Sequence, residues 1–226
     1  MTLHYLIHLA NYSDGILYVM LGILTVALAV IIDRFWYLRR TLLGGDRVVA
    51  ALGEHSELTR ADLAQLAGEA ADLPEGSLLE VAARHVGLLS TPQLAARLEE
   101  ATLRIAPTLD RRLWMLDTIV TLAPLLGLFG TIIGMFHAFS VLSVAGKAPT
   151  AVTGGIADAL VATASGLLVA MLGLLAFNAL NNKVRVILHQ LELVQTMLVN
   201  RQDGAPVLLG DRGQPLAPLG KPVTAQ

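Results

Sequence analysis

The sequence predicts an all-α membrane protein with three transmembrane helices, the second and third extended into the cytoplasm, plus a helical cytoplasmic segment. Apolar residues make up 54% of the 226 and charged residues only 15%, whereas ordinary soluble domains contain about 25% charged residues. The mean hydropathy is +0.63. Three apolar runs are each long enough to cross a hydrocarbon core of about 30 Å, which takes roughly 20 helical residues.

The first transmembrane helix is predicted over residues 16–37, after a periplasmic N-terminal segment of residues 1–15. The apolar run does not fit a secretory signal peptide, because no basic residue precedes it. Arg34, Arg39 and Arg40 follow it, where a cleavage site would need small residues. We therefore expect this run to be a membrane span of the working protein.

A helical cytoplasmic segment is predicted over residues 38–115. Hydrophobic periodicity favours a helix at residues 60–71, with Thr59 as its N-cap. The sequence Leu-Pro-Glu-Gly at residues 73–76 predicts a turn, and Ser77 is then expected to cap the next helix.

The second transmembrane helix is predicted over residues 116–144. Its apolar pattern extends back to Pro92 almost without a break, so we expect one long helix that projects from the membrane into the cytoplasm. Pro107 and Pro124 should each kink this helix, because proline removes a backbone donor and its ring crowds the preceding turn.

The third transmembrane helix is predicted over residues 155–180, after a short periplasmic loop of residues 145–154. Amphipathic spacing continues the helix into the cytoplasm through residues 181–202. Residues 203–226 contain four Gly and four Pro and are predicted to be a disordered tail.

The distribution of Lys and Arg predicts the orientation of the chain. The segment before the first span contains neither residue, and the loop between the second and third spans contains only Lys147. The long middle segment contains nine Arg, and five Lys or Arg follow the third span. Because cytoplasmic segments are enriched in Lys and Arg, we expect a periplasmic N-terminus and a cytoplasmic C-terminus.

Several function classes are disfavoured by composition and motifs. The net charge of −2, with no basic stripe, gives no reason to expect a nucleic-acid partner. The absence of cysteine excludes thiol catalysis, disulfides and thiolate metal sites. No serine-hydrolase, zinc-protease or nucleotide-loop motif is found, and the glycine-rich stretch 127–131 lies inside a span. We therefore predict no enzyme activity, no catalytic residue, no cofactor and no metal.

Small residues line one face of each of the last two spans. On the second span this face consists of Pro124, Gly127, Thr131, Gly134 and Ala138, and Thr131 supplies its one hydroxyl. On the third span the ridge consists of Gly155, Ala159, Ala162, Gly166, Ala170 and Gly173. Small residues let membrane helices approach closely, and Gly130-x-x-x-Gly134 follows that rule. The faces can pack within one subunit, and two such faces also suggest contact with another protein.

The third span contains one acid, Asp158, in a run of 26 otherwise apolar or small residues apart from three polar side chains. A carboxylate costs roughly 2.5–3.5 kcal/mol at the centre of a membrane helix and less near its end. An acid retained there is a candidate for handling protons or ions, although it could instead favour the helix N-terminus at the membrane surface. For Thr131 and Thr163 the alternative to a functional role is a hydrogen bond to their own helix.

Two motifs resemble a known family. Residues 123–135 read APLLGLFGTIIGM, and residues 155–167 read GIADALVATASGL. They resemble the second-span and third-span signatures of the ExbB/TolQ/MotA proton-channel family, and the ExbB branch most of all. The resemblance covers about 65 residues, 117–181. It departs from the family at Asp158, where a Glu is usual, and at Met171-Leu172, where the family has Ile-Pro.

The resemblance implies a homo-pentamer in the lipid bilayer of the bacterial inner membrane, surrounding two copies of an ExbD/TolR-like single-span protein. Protons would pass through a pore lined by the second and third spans and energise outer-membrane transport through a TonB-like protein. Thr131 and Thr163 would be pore-lining hydroxyls, and Asp158 would replace the family's membrane Glu. The remaining motif positions would pack helices or contact the partner: Pro124, Gly127, Gly130, Gly134, Ala162 and Gly166.

Other functions stay open at this point. A TolQ-type role in envelope integrity is the nearest one, and a MotA-type flagellar stator is disfavoured because that branch generally has four spans. A non-conducting membrane scaffold would use the small faces for assembly alone. A self-sufficient small channel or carrier would conduct ions without any partner.

Overall fold

The computed structural model describes residues 15–54, 58–142 and 149–203 of the chain. Every regular element in these ranges is an α-helix, in the order α1 Ile16–Glu54, α2 Arg60–Glu69, α3 Pro74–His85, α4 Thr91–Leu109, α5 Leu113–Leu142 and α6 Pro149–Asp203. Helices α1, α5 and α6 are long and apolar enough to cross a membrane. The prediction of an all-α protein with three membrane helices is confirmed.

The chain divides into two compact units. The first lies within Met1–Phe35 and Arg112–Asn181, and the second lies within Trp36–Arg111 and Asn182–Gln226. The apolar stretches of α1, α5 and α6 belong to the first, which we call the membrane unit. We call the other the second unit. Helices α2, α3 and α4 belong to it, as do the later parts of α1 and α6.

Two helices of the second unit begin with reciprocal side-chain caps, and the cap at Thr59 is the one that the sequence predicts. At the start of α2 the backbone N–H of Thr59 donates to Asp62 Oδ2 at 3.0 Å, and the backbone N–H of Asp62 donates to Thr59 Oγ1 at 3.2 Å. This reciprocal pair is a capping box. At the start of α4 the backbone N–H of Ser90 donates to Gln93 Oε1 at 3.1 Å, with a proline in the first turn.

The predicted start of α3 was wrong. The helix begins at Pro74, with Leu73 in an extended conformation as the N-cap residue. Ser77 therefore lies inside the first turn of the helix and does not cap it. Proline favours this start because its fixed φ suits the first helical position, where its missing N–H would have had no partner.

The predicted continuous helix from Pro92 into the second span was also wrong. Helix α4 ends at Leu109 and α5 begins at Leu113. Between them Arg112 has φ 69°, a left-handed conformation that residues other than glycine adopt uncommonly. Pro107 lies in the last turn of α4 and has no N–H to continue the hydrogen-bond ladder, so the helix stops soon after it. Pro124 lies inside α5.

The second unit has a leucine-rich core. The later part of α6 contributes the apolar face that its spacing predicts, with Ile187, Leu191 and Val194 at 0% exposure. Each fully buried aliphatic side chain contributes about 1.5–3 kcal/mol. The other helices of the unit contribute fully buried leucines to this core: Leu38, Leu52, Leu78, Leu79, Leu94, Leu98 and Leu109.

Some predicted segments lie outside the described residues. These are residues 1–14 of the periplasmic segment, residues 143–148 at the end of the second span and in the following loop, and residues 204–226 of the tail. Helix α6 begins at Pro149, six residues before the predicted start of the third span at residue 155. It continues without a break to Asp203.

Candidate functional site

Helices α5 and α6 of the membrane unit approach each other closely at Gly127. A methyl group built on Gly127 would lie 2.9 Å from Thr163 Cα and 3.0 Å from the carbonyl oxygen of Ala162. Real Cβ atoms do not approach backbone so closely, so only glycine allows the two helices to meet here. The small-residue faces of the two spans are therefore brought together within one subunit.

The same packing continues toward the C-terminal end of α5 and the N-terminal end of α6. A methyl group on Gly130 would lie 2.7 Å from Ala162 Cβ, and one on Gly134 would lie 2.7 Å from Ala159 Cβ. Ala162 is fully buried as a result. The register is regular, because each helical turn of α5 meets the next small residue of α6.

Helix α1 also packs against α6 near Gly166. A methyl group on Gly166 would contact the carbonyl oxygen of Ala123 and would lie 3.0 Å from the terminal methyl of Met20. Met20 of α1 is only 3% exposed. Pro124 lies beside this contact and is half-buried. The apolar pattern of α1 alone gives no signal for the role of Met20.

The hydroxyl of Thr163 joins the two helices. Thr163 Oγ1 donates to the carbonyl oxygen of Gly127 at 2.9 Å. The alternative of a hydrogen bond to its own helix is therefore wrong for Thr163. Thr131 behaves differently, since its Oγ1 donates to the carbonyl oxygen of Leu128 in its own helix at 2.7 Å.

Asp158 lies on α6 at the edge of the packed ridge and is half-buried. Among the described residues it has no hydrogen-bond or ion-pair partner. Asp158 and Thr163 are five residues apart, which corresponds to about 140° around a helix axis with 3.6 residues per turn. The carboxylate and the interhelical hydroxyl therefore flank the ridge on different sides.

A polar cluster lies where the apolar stretch of α1 ends and α5 begins. Arg112 Nη1 is 3.0 Å from Asp33 Oδ2, and Arg34 Nε is 3.5 Å from the same oxygen. Arg34 is only 6% exposed. The ion pair between Asp33 and Arg112 was not predicted, because the two residues are 79 positions apart in sequence. It links α1 to the start of α5.

The outward surfaces of α5 and α6 are apolar. Phe136 is 71% exposed, Leu175 70% and Leu125 62%. Surfaces of this kind are stable against lipid chains or against apolar faces of other subunits. No group of three or more His, Asp or Glu that could hold a metal ion occurs in the part of the chain that the structure describes.

The interhelical hydrogen bond can be tested by substitution. We expect Thr163→Val to lower the free energy of unfolding by about 0.6 kcal/mol and at most by about 1.7 kcal/mol, as found for hydrogen bonds between membrane helices. Thr163→Ser keeps the hydroxyl and should retain most of the stability. Equilibrium unfolding in mixed micelles measures both, and equal stability of the Val and Ser variants would contradict the assignment.

Comparison with known proteins gives consistent matches. Residues 70–193 match the MotA/TolQ/ExbB proton channel family. The chain is 35% identical over 183 residues to the ExbB-like 3 protein of Synechocystis sp., covering 78% of this chain and 83% of that protein. It is 34% identical over 115 residues to the biopolymer transport protein ExbB of Neisseria gonorrhoeae, covering 49% of this chain and 52% of that one.

A further match is to the Tol-Pal system protein TolQ of Haemophilus influenzae, at 43% identity over 81 residues. That alignment covers 35% of this chain and 36% of the relative. The match to Neisseria ExbB thus spans about half the length of that relative, and the match to TolQ spans about a third. The family match includes all of α5 and most of α6, which form the packed site.

Proposed function

Because the chain belongs to the MotA/TolQ/ExbB proton channel family, we propose that it is a subunit of an ExbB-type motor in the bacterial inner membrane. The motor uses the proton-motive force to energise TonB-dependent outer-membrane transport, together with an ExbD-like partner. The observation that carries this proposal is the small-residue packing of α5 on α6, with a membrane carboxylate at its edge, inside the family match.

The proposed proton pathway runs beside this packed pair. Asp158 is the group of the pathway that binds and releases protons, and none of the residues that the structure describes pairs with it. Thr131 and Thr163 supply hydroxyls to the same pathway. Each proton that crosses 100 mV releases about 2.3 kcal/mol, so several protons can drive a conformational cycle.

The proposed assembly is a homo-pentamer around two copies of the single-span partner. Its support is the large apolar surface of the membrane unit that packing within one subunit leaves exposed. In this assembly the N-terminus is periplasmic and the C-terminus cytoplasmic, as the Lys and Arg distribution predicts. The second unit then lies in the cytoplasm.

A TolQ-type motor that maintains the cell envelope is the second candidate. Its support is the 43% identity to TolQ over 81 residues. Both candidates use the same packed site, and they differ in the partner that the assembly binds.

Native mass spectrometry of the tagged chain, gently extracted from its own membrane, tests the proposal. We expect a pentamer bound to two copies of a small single-span protein. An ExbD-like sequence for that protein supports the TonB-linked role, whereas a TolR-like one selects the TolQ-type role. A monomer or dimer without any partner would contradict both.

A further inference from the structure

Glu75 in the second unit is a buried acid with unsatisfied oxygens. It is the second residue of α3 and has 0% exposure. Neither carboxyl oxygen has a hydrogen-bond partner among the described residues. Acidic residues are almost never fully buried unless paired, so this side chain needs a physical explanation. The proposed membrane motor does not supply one.

The side-chain amide of Gln190 on α6 lies close to the Glu75 carboxyl. A methyl group built on Gly45 of α1 would lie 2.5 Å from Glu75 Oε1 and 2.9 Å from Gln190 Oε1. The two oxygens therefore lie beside the same point. Gln190 is itself only 8% exposed, and its Oε1 also has no donor among the described residues.

The other end of the Gln190 amide is already used. Gln190 Nε2 donates to Asp46 Oδ1 at 2.6 Å. The amide nitrogen thus donates to the carboxyl group of Asp46, while the amide oxygen lies near the carboxyl group of Glu75. An amide oxygen and an ionised carboxylate can only accept hydrogen bonds. Two acceptors close together in a buried site are costly. A proton on Glu75 removes this cost because the protonated carboxyl can donate a hydrogen bond.

We propose that Glu75, Gln190 and Asp46 form a buried proton-binding site in the second unit, in which protonated Glu75 donates to Gln190 Oε1. The site is separate from Asp158 and does not depend on the proposed motor function. It gives the second unit its own response to pH, because loss of the proton leaves an uncompensated buried charge.

The electrostatic surroundings agree with this assignment. Burial raises the pKa of the Glu75 carboxyl and the charge of Asp46 raises it further, while its own backbone N–H lowers it by a smaller amount than burial raises it. From α6 the facing group is the neutral amide of Gln190. Several charged side chains elsewhere in this unit pair with one another at the surface: Arg40 with Asp72, Arg84 with Glu80, Arg97 and Arg104 with Glu100, and His189 with Glu192.

The pH dependence of stability follows from the raised pKa of Glu75. The folded protein binds this proton more tightly than the unfolded chain, whose Glu has a pKa of 4.5. The stabilisation is therefore complete below that value and is lost as pH rises through the folded pKa. We expect this group to lower the unfolding temperature of the full-length protein as pH rises above 4.5.

The decisive variant is Glu75→Gln. Its side-chain amide has nearly the shape of the carboxyl group and can donate a hydrogen bond to Gln190 Oε1 at any pH. We expect it to remove the part of the pH dependence due to Glu75 and to raise the unfolding temperature at alkaline pH. The matched control is Glu80→Gln, an exposed acid on the same helix, which should retain the pH dependence. If Glu75→Gln and Glu80→Gln give the same pH profile, the site does not bind a proton.

Infrared spectroscopy detects the proton directly. We expect the C=O band of a protonated carboxyl to persist to a higher pH than that of an ordinary Glu. The band should be lost in Glu75→Gln and retained in Asp158→Asn, which separates this site from the membrane acid. Asp46→Asn should shift the titration of the band to lower pH. Absence of a band assignable to Glu75 would overturn the proposal. So would stabilisation of the protein at alkaline pH by added Na⁺, because a cation would then occupy the site instead.

Discussion

Asp158→Asn is expected to abolish proton flux through the assembled complex and to leave its assembly unchanged. An asparagine has nearly the same shape but cannot bind or release a proton near neutral pH, so the proposed pathway loses its titratable group. Asp158 has no hydrogen-bond or ion-pair partner among the described residues, so the substitution breaks no such contact with them. The expected loss is therefore functional and does not arise from unfolding.

The measurement uses the complex reconstituted with its co-purified partner in lipid vesicles that contain a pH-sensitive dye. An imposed membrane potential should acidify or alkalinise vesicles with the unmodified complex and leave those with Asp158→Asn at background. Asp158→Glu is the matched control, because it keeps the carboxylate one methylene further from the backbone and should retain flux. Full flux in the Asn variant would favour the scaffold, and flux from the chain without partner would favour a self-sufficient channel.

The helices and their small faces could be predicted from the sequence because both depend on local periodicity. A spacing of three and four residues is enough to place Gly127 and Gly134 on one side of a helix. The register between the two helices could not be predicted in this way, because Gly130 meets Ala162 only when α5 and α6 pack together. No rule of local spacing gives that pairing.

The errors and omissions have identifiable physical causes. The Leu-Pro-Glu-Gly sequence was interpreted as a turn, but Pro74 begins α3 because proline suits the first helical position. Pro107 was expected to kink one continuous helix, but the chain forms two helices instead. They are separated at the residues before Leu113, where Arg112 has a left-handed conformation. Glu75 was not recognised as a buried acid, because its neighbours Gly45 and Gln190 are distant in sequence and only the tertiary packing brings them together.

The orientation of a hydroxyl also depends on packing. Thr131 and Thr163 are similar by sequence, yet only Thr163 reaches the other helix. The difference arises because Gly127 lets the backbone of α5 approach Thr163 directly. The interhelical hydrogen bond is thus a consequence of the glycine face, and disrupting the face should disrupt the bond as well.

Gly166→Leu is accordingly expected to be the most destabilising single substitution in the membrane unit. The Cβ atom of any side chain there would collide with the carbonyl oxygen of Ala123 and would lie 3.1 Å from the Cα of Gly127. Both contacts are with backbone, so no rotamer change in a neighbour can relieve them. Overpacking of this kind costs about 1–3 kcal/mol and occasionally more, and separating α5 from α6 would also break the hydrogen bond from Thr163.

The matched control is Gly22→Leu, which introduces the same side chain at a glycine of α1 with open space around it. We expect the Gly22 variant to accumulate in membranes and unfold in detergent near the temperature of the unmodified protein. The Gly166 variant should accumulate poorly and unfold at a clearly lower temperature, with Gly166→Ala between the two. Equal unfolding temperatures for Gly22→Leu and Gly166→Leu would mean that α5 and α6 do not pack through their small faces. The assignment of Thr163 as an interhelical donor would then be lost too, since the glycine contact is what brings it within reach.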